Sequence, residues 1–221
     1  MKLVLSALEK YVMGLLFMAV LVFWPAGSLR FWNGWLLIGL LFVPMLILGS
    51  VLFVKAPELL KKRLNAKEKS ADQQGVVAVS GLMFFGGFIV AGLDHRLSWS
   101  AVPDWVVIAA SAVFLISYAL YAEVMRENAY LSRTIEVQEG QRVIDTGLYG
   151  IVRHPMYAVT LWLFLAIPLI LGSWYALILF VIYPAVIAVR IRGEEKLLEE
   201  ELPGYKEYKK KVKYRMIPFI W

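Results

Sequence analysis

The chain has 221 residues, of which 60% are hydrophobic and only 18% are charged, and its formal net charge is +6. With a mean hydropathy of +0.67, this composition is too apolar for an ordinary soluble domain and indicates an integral membrane protein. The absence of cysteine excludes a disulfide framework, thiolate zinc sites and a cysteine nucleophile.

Apolar stretches in the first half of the chain predict four membrane spans, because about 20 apolar residues cross the core of a bilayer. They lie at residues 15–26, 31–54, 75–93 and 105–122. Lys10 and Arg30 bracket the first stretch, so a cleavable signal peptide is an alternative there. The apolar run from Tyr11 is longer than the roughly 7–15 residues of a signal peptide core, and no small-residue cleavage pattern follows it. A membrane span is therefore favoured.

A longer uncharged stretch follows at residues 155–189. As one straight helix it would be about 50 Å long at 1.5 Å per residue, whereas the core of a bilayer is only about 30 Å thick. Pro168, Gly172 and Ser173 lie near its middle. These residues predict two short helices joined by a tight turn.

The predicted fold is all-α and multi-pass, with about six transmembrane helices, or five if the last hairpin is re-entrant. We divide the chain into a transmembrane scaffold of four helices, residues 1–125, and a catalytic region, residues 126–221. The catalytic region contains a cytosolic loop, the helical hairpin 155–190 and a cytosolic C-terminal tail. Small residues in the third span favour close helix packing, namely Gly81, Gly86, Gly87 and Gly92.

Basic residues predict the orientation. If the N-terminus is inside, the outer loops contain only Arg30 and Arg96 as basic residues. The inner segments contain the others, including Lys55, Lys61, Lys62, Arg63, Lys67, Lys69, Arg126, Arg133, Arg142, Arg153 and those from Arg190 onward. Because inner loops carry an excess of lysine and arginine, we predict cytoplasmic N- and C-termini in a prokaryotic cell membrane. The net charge is thus a membrane-orientation signal and indicates no nucleic-acid partner.

Three polar segments differ in what they predict. Residues 126–153 form a loop about as long as a compact loop can be without a function, so we predict a lid over a cofactor, with a plain connector as the alternative. The basic loop 55–75 is predicted to be a surface connector near anionic headgroups. Asp94, His95 and Arg96 are the charged cluster of the outer loops, and the lone His95 is predicted to be solvated and without a function.

Two charged clusters flank the last hairpin. Arg153 and His154 precede Pro155, at a helix N-terminus that favours an anionic group; alternatively they cap the helix and touch lipid phosphate. Arg190 and Glu194 are four residues apart and share one face of a helix. Since the hairpin returns them to the membrane face of His154, we predict that the two clusters form one cytosol-facing site.

Several common sites are missing from the sequence. It has no GxxxxGK[ST] phosphate loop, no GxGxxG after a strand, no HExxH and no GxSxG motif. Its two histidines, His95 and His154, are predicted to lie on opposite sides of the membrane. No metal site is therefore predicted.

The segments GLYGIVRHPMY, RIRGEEKLL and GYKEYKKKVKYRMIP resemble the integral-membrane methyltransferases of the isoprenylcysteine carboxyl methyltransferase (ICMT) family and their phospholipid-methylating relatives. The resemblance covers about residues 138–218, and the N-terminal spans add nothing specific. It implies that S-adenosyl-L-methionine binds at the cytosolic membrane face without a Rossmann domain. It also implies a lipophilic methyl acceptor, such as the carboxylate of an isoprenylcysteine-like group.

The resemblance also implies roles for single residues. The acceptor-contacting arginine of the family falls on Arg190. Its cofactor contacts fall on Gln138, Gln141, Arg142, Val143, Ile144, Tyr149, His154, Pro155, Met156, Tyr157 and Glu194. The chain departs from its relatives at Leu148, Gly150 and Val159, where they often have proline, arginine and glycine.

Two other functions are kept as alternatives. Sterol-type membrane reductases, which use NADPH, resemble the same region in their histidine-proline motif and tyrosine-rich tail. They tend to have Asp-Glu followed by cysteine where this chain has Glu194 and Glu195, which favours methyl transfer. A non-enzymatic membrane scaffold or transporter is the third possibility, although the spans lack the paired buried charges typical of a transporter.

Overall fold

The computed structural model describes residues 2–64, 71–131 and 136–221, and every regular element within these ranges is a helix. The helices are α1 (Lys2–Ala26), α2 (Trp32–Lys55), α3 (Pro57–Leu64), α4 (Ala71–Leu97), α5 (Asp104–Glu127), α6 (Pro155–Ile170), α7 (Trp174–Phe180), α8 (Tyr183–Glu201) and α9 (Tyr205–Lys211). A short 3₁₀ helix (Gly147–Gly150) precedes α6. The predicted all-α membrane fold is confirmed. Lys67, Lys69 and Arg133, which contribute to the predicted orientation, lie outside the described residues.

Five described segments are long and apolar enough to cross a membrane: α1, α2, α4, α5 and Trp174–Glu201, which joins α7 and α8. Helix α6 has only 16 residues, yet it also runs from one end of the bundle to the other. At its end, the Asn33 side chain from the start of α2 donates to the Ile170 carbonyl at 2.7 Å. The described chain therefore crosses the bundle six times. We call the end where α6 begins the site end and the opposite end the far end.

The turn of the hairpin lies where proline, glycine and serine predicted it. Gly172 has a φ of 75°, in the left-handed region that glycine adopts at low cost. A Cβ atom there would also lie 3.4 Å from the amide nitrogen of Asn33. The hydroxyl of Ser173 accepts from the Ala176 N–H at 3.0 Å and so caps the first turn of α7. Residues of the turn itself thus determine where α6 ends and where α7 begins.

Close helix packing explains part of the glycine pattern in α4. A Cβ atom on Gly87 would overlap the ring of Phe180 in α7, and one on Gly92 would lie 2.8 Å from Pro25 Cβ in α1. Gly81 has no neighbour within 4 Å, so packing does not explain it. Many large apolar side chains remain exposed around the bundle, such as Trp24 and Leu82, as expected for a surface that faces lipid.

At the far end, His95 is exposed, as predicted, but its neighbour Asp94 is buried. Its side chain is 1% exposed and accepts from the Ser100 N–H at 2.7 Å and from the Ser100 hydroxyl at 2.6 Å. The Ser173 hydroxyl donates to the same carboxylate. Asp94 therefore ties the end of α4 to the next loop and to the hairpin turn. A buried carboxylate is stable there because its oxygens are hydrogen-bonded.

Candidate functional site

A cavity of about 650 Å³ opens at the site end of the bundle, within the usual size of small-molecule sites. Residues 136–149, α6, α8 and α9 form one side of it, and α2, α3, α4 and α5 contribute the other. The cavity lining contains many of the predicted site residues, namely Gln141, Arg142, Val143, Ile144, Tyr149, His154, Met156, Tyr157, Arg190 and Glu194.

Two further predicted site residues, Gln138 and Pro155, do not line the cavity. The Gln138 side chain donates to the Tyr130 carbonyl at 2.6 Å and accepts from Lys62. Its backbone N–H donates to the side chain of Gln141 at 2.9 Å. Gln138 therefore ties the loop after α5 to helix α3. Pro155 is buried at the first position of α6, where a missing N–H has no cost.

Tyr157 joins the two charged clusters of the sequence. Its hydroxyl donates to Glu194 Oε2 at 2.6 Å and accepts from Arg190 Nε at 3.1 Å. Arg190 and Glu194 reach the same hydroxyl because residues four apart share one face of α8. The hairpin brings this face against the start of α6, so the two clusters meet at one end of the bundle.

Sequence reasoning missed Glu195, which is 3% exposed. Its carboxylate accepts from Arg153 Nε at 2.7 Å and from Arg215 Nε at 2.9 Å, and it lies 3.3 Å from His154 Nε2. We call these four residues the Glu195 cluster. Glu195 follows Glu194 by one position, about 100° around the helix. It therefore faces the protein interior while Glu194 faces the cavity.

The Glu195 cluster fastens the C-terminal tail to the start of α6. Arg153 is 6% exposed and also donates to the carbonyls of Val212 and Lys213 at 2.7 and 2.8 Å. Backbone hydrogen bonds run from the N–H groups of Arg153 and His154 to the carbonyls of Tyr214 and Arg215. Arg153 therefore binds protein groups, and the alternative that it touches lipid phosphate is not what the structure shows.

The tail also supplies a tyrosine wall that sequence reasoning placed only at the membrane face. Tyr205 and Tyr208 of α9 both line the cavity, and their spacing of three residues puts them on one helix face. The Tyr208 hydroxyl donates to the Tyr149 carbonyl at 2.7 Å. The Asn128 amide donates to the Tyr149 hydroxyl at 3.0 Å. Burial raises the pKa of Tyr149, so its phenol stays neutral at physiological pH.

Tyr205 differs from its neighbours in one respect. Its side chain is 3% exposed, and its hydroxyl has no hydrogen-bond partner among the described residues. A buried polar group without a partner is rare and costs about 1–3 kcal/mol. Because Tyr205 lines the cavity, its hydroxyl is placed to meet a bound molecule.

Helix α3 belongs to the wall of the cavity, although its loop was predicted to be a surface connector. Arg63 lines the cavity and donates to the Tyr121 hydroxyl. Lys62 turns the other way and donates to the side chain of Gln138. Adjacent residues of α3 thus contact α5 and the loop that follows it. Within the described ranges, no group of three or more metal-ligating side chains occurs.

Comparisons with known proteins point to the same region. Residues 106–200 match the Isoprenylcysteine carboxyl methyltransferase (ICMT) family, and this range includes most of α5, all of α6 and nearly all of α8. The chain is 29% identical over 170 residues to the "Uncharacterized protein YpbQ" of Bacillus subtilis (strain 168), which covers 75% of this chain and 96% of that protein.

A second relative is a eukaryotic enzyme. The chain is 34% identical over 91 residues to the Delta(14)-sterol reductase TM7SF2 of Mus musculus, covering 40% of this chain and 22% of that protein. The family match contains Tyr149, Tyr157, Arg190 and Glu194, so it falls on the residues that meet in the cavity. Through residues 106–200, which are less than half of its length, the chain is therefore similar to the Isoprenylcysteine carboxyl methyltransferase (ICMT) family.

Proposed function

We propose that the protein binds S-adenosyl-L-methionine and transfers its methyl group to a lipid-like acceptor at the cytosolic membrane face, most simply to the carboxylate of an isoprenylcysteine-like group. One observation carries the proposal: the lining of one cavity combines polar and apolar side chains from different parts of the chain. Tyr149, Tyr205 and Glu194 contribute polar groups, and Met45 of α2 and Phe84 of α4 contribute apolar surface. Such a cavity suits a polar cofactor that meets an apolar acceptor.

The polar side chains of the lining fit the parts of the cofactor. The unpartnered hydroxyl of Tyr205 would hydrogen-bond to it, and Glu194 would accept hydrogen bonds from its adenosine part. The rings of Tyr149 and Tyr157 would attract the positive sulfonium by cation–π interaction. His154 lies at the N-terminal end of α6, where helix N–H groups favour a carboxylate.

The chain's own residues would act mainly by positioning. When bound, the cofactor supplies an activated methyl group on sulfur. Arg190 would orient the acceptor carboxylate through a bidentate pair. An ionised carboxylate is already a nucleophile, so no general base is required. Holding both reactants in line inside a partly buried cavity would then supply much of the rate enhancement.

The location of the site supports the proposed orientation. The basic helix α3, residues 136–153 and the tail with Lys206, Lys209, Lys210, Lys211 and Lys213 all lie at the site end. Because basic residues stay on the cytoplasmic side, this end would face the cytoplasm, with both termini. The similarity to a bacterial protein, which extends over 96% of that protein, supports a prokaryotic cell membrane.

A second candidate function is NADPH-dependent reduction of a sterol-like lipid. The match to a protein named Delta(14)-sterol reductase favours it, and arginines in the cavity lining would suit the phosphates of a dinucleotide. The residue after Glu195 is lysine rather than cysteine, which departs from the reductase pattern and favours methyl transfer.

Calorimetric titration of the detergent-purified protein separates the two functions. We expect saturable binding of S-adenosylhomocysteine and none of NADPH. Glu194→Gln should weaken S-adenosylhomocysteine about 10-fold or more, since hydrogen bonds to a charged group are worth about 1.5–3 kcal/mol. Glu199→Gln, outside the cavity lining on the same helix, is the matched control and should keep wild-type affinity.

The other possible results of this titration lead to different conclusions. Binding of NADPH alone would move the protein to the reductases. Binding of neither ligand would leave a family fold without the family's activity. An unchanged affinity in Glu194→Gln would remove this carboxylate from the cofactor site while the methyltransferase function stands.

Replacing Tyr205 with phenylalanine should move stability and affinity in opposite directions. The change removes a buried hydroxyl that has no partner, so the ligand-free protein should gain about 1 kcal/mol of stability. The affinity for S-adenosylhomocysteine should fall about 5-fold, as expected for one lost neutral hydrogen bond. Thermal unfolding in detergent and calorimetry measure the two effects.

The matched control for Tyr205 is its neighbour on the same helix face. Tyr208→Phe removes a hydroxyl that donates to the Tyr149 carbonyl, so it should destabilise the ligand-free protein. If Tyr205→Phe were destabilising as well, its hydroxyl would have a protein partner and would not be reserved for a ligand.

A further inference from the structure

We propose that the far end of the bundle contains a second binding site, which takes a primary ammonium group. The site is an open cavity of about 450 Å³ between the start of α2, the end of α4, the loop that follows α4 and the turn of the last hairpin. This volume is within the range of small-molecule sites. Among the described residues, the two cavities share no lining residue, so the inference does not depend on methyl transfer.

Asn33 provides the cavity with a hydrogen-bond acceptor that the protein leaves unused. Its side chain is 8% exposed, and its amide nitrogen donates to the Ile170 carbonyl at 2.7 Å. The other end of the amide, Oδ1, accepts no hydrogen bond from the residues that the structure describes. Because buried polar atoms nearly always have a partner and Asn33 lines the cavity, a ligand with N–H groups would complete this amide.

The charges of the cavity lining have one sign. Asp94 and Asp104 both belong to it, whereas its described residues include no lysine or arginine. Asp94 is held by hydroxyl and N–H groups rather than by a cation, and Asp104 is exposed in the first turn of α5. The Arg96 side chain lies beside Gly27 at the end of α1. A cation bound in the cavity would therefore be attracted by two carboxylates.

Aromatic rings form the rest of the wall. Trp32 and Trp99 line the cavity and are about half exposed, and the imidazole of His95 stacks on the ring of Phe31 with centroids 4.2 Å apart. The face of an indole ring attracts a cation. Tryptophan is also common at membrane interfaces for other reasons, so the rings support a cationic ligand and the carboxylates and Asn33 identify it.

The donor set distinguishes between classes of cation. Within the described ranges, no group of three or more metal-ligating side chains occurs, which disfavours a divalent metal ion. A quaternary ammonium has charge but no N–H group for the Asn33 amide. A primary ammonium has three N–H donors, which suit the Asn33 oxygen and the Asp104 carboxylate together.

The cavity is formed without a ligand. Asp94 holds Ser100 at the middle of the loop between α4 and α5. The Trp174 indole donates to the Ala101 carbonyl at 3.2 Å, and the Trp174 N–H donates to the Ser100 hydroxyl at 3.2 Å. These contacts join the loop to the start of α7, so binding would require little ordering of the protein. In the proposed orientation the ammonium belongs to an outer-leaflet aminophospholipid or to a soluble alkylamine.

The test uses two pairs of probes that differ within each pair only in the methylation of nitrogen. Ethanolamine and choline have no acyl chain, whereas lysophosphatidylethanolamine and lysophosphatidylcholine have the same acyl chain and phosphate. Each probe is titrated at neutral pH into the detergent-purified full chain by isothermal calorimetry. We expect the ethanolamine member of at least one pair to bind about 5-fold more tightly than its choline partner, because choline cannot donate to the Asn33 oxygen.

Two variants with matched controls locate the binding. Asp104→Asn should weaken the ethanolamine member about 10-fold, as expected for a lost hydrogen bond between charged groups. Glu9→Gln removes the same charge from an exposed position near the start of α1 and should keep wild-type affinity. Trp32→Leu should weaken both members of a pair about 3-fold, whereas Trp105→Leu, exposed and outside the lining, should weaken neither. All four residues are exposed, so the variants should fold.

The response of the pairs identifies the source of the ammonium. A preference in both pairs indicates a soluble amine, and a preference in the lysolipid pair alone indicates a lipid headgroup. No binding, equal affinities within both pairs, or equal losses in Asp104→Asn and Glu9→Gln would overturn the inference. The affinity for S-adenosylhomocysteine should be unchanged in all four variants, and a wild type that fails to bind it would remove the proposed function and leave this site standing.

Discussion

Glu195→Gln is expected to destabilise the protein by about 3–5 kcal/mol, the usual effect of removing one partner from a buried ion pair. The substitution keeps the shape of the side chain but leaves the buried guanidinium of Arg153, at 2.7 Å from the carboxylate, without its counterion. Arg215 loses the same partner. The tail should then separate from the start of α6, and unfolding in detergent should begin at a clearly lower temperature.

Glu199→Gln is a matched control for this prediction. Glu199 lies one turn further along α8 and pairs with Lys209, with both side chains about a third exposed. An exposed pair contributes at most about 1 kcal/mol, so the control should unfold near the wild-type temperature. Equal losses in the two variants would contradict the structural role of the Glu195 cluster. In the double variant Glu195→Gln/Arg153→Gln, the loss should be smaller than the sum of the two single losses, because the residues are in contact.

Arg190→Gln is expected to lower kcat/KM for methylation of N-acetyl-S-farnesylcysteine about 100-fold, as a misplaced reactant does in other enzymes. The guanidinium would no longer orient the acceptor carboxylate, and its hydrogen bond to the Tyr157 hydroxyl at 3.1 Å would be lost. Transfer of a radiolabelled methyl group from S-adenosyl-L-methionine to the extractable ester measures the rate. Arg190→Lys should rescue little, because an ammonium cannot reproduce the bidentate geometry.

Arg192→Gln controls for the loss of charge from α8. Arg192 is exposed and lies outside the cavity lining, so the variant should methylate at the wild-type rate. Calorimetry with S-adenosylhomocysteine separates a role toward the acceptor from a structural role. If Arg190→Gln lost cofactor affinity and folded protein together with its activity, Arg190 would support the fold and would not orient the acceptor.

Features that depend only on short stretches of the chain, such as spans, turns and helix faces, were predictable from the sequence. The apolar stretches gave the membrane fold, because the thickness of a bilayer sets the length of a span. Pro168, Gly172 and Ser173 predicted the turn of the hairpin. The spacing of Arg190 and Glu194 predicted a shared helix face, and with the hairpin it explains why both reach Tyr157.

The tertiary structure alone decided which polar groups meet. Glu195 pairs with Arg153, 42 residues earlier in the chain, and no spacing rule connects residues so far apart. The burial of Asp94, the entry of Arg63 into the cavity wall and the unpartnered hydroxyl of Tyr205 likewise depend on how distant helices pack. Sequence periodicity fixes which face of a helix is apolar, but long-range packing selects the partner of each polar side chain, and the site at the end of the bundle is built from those partners.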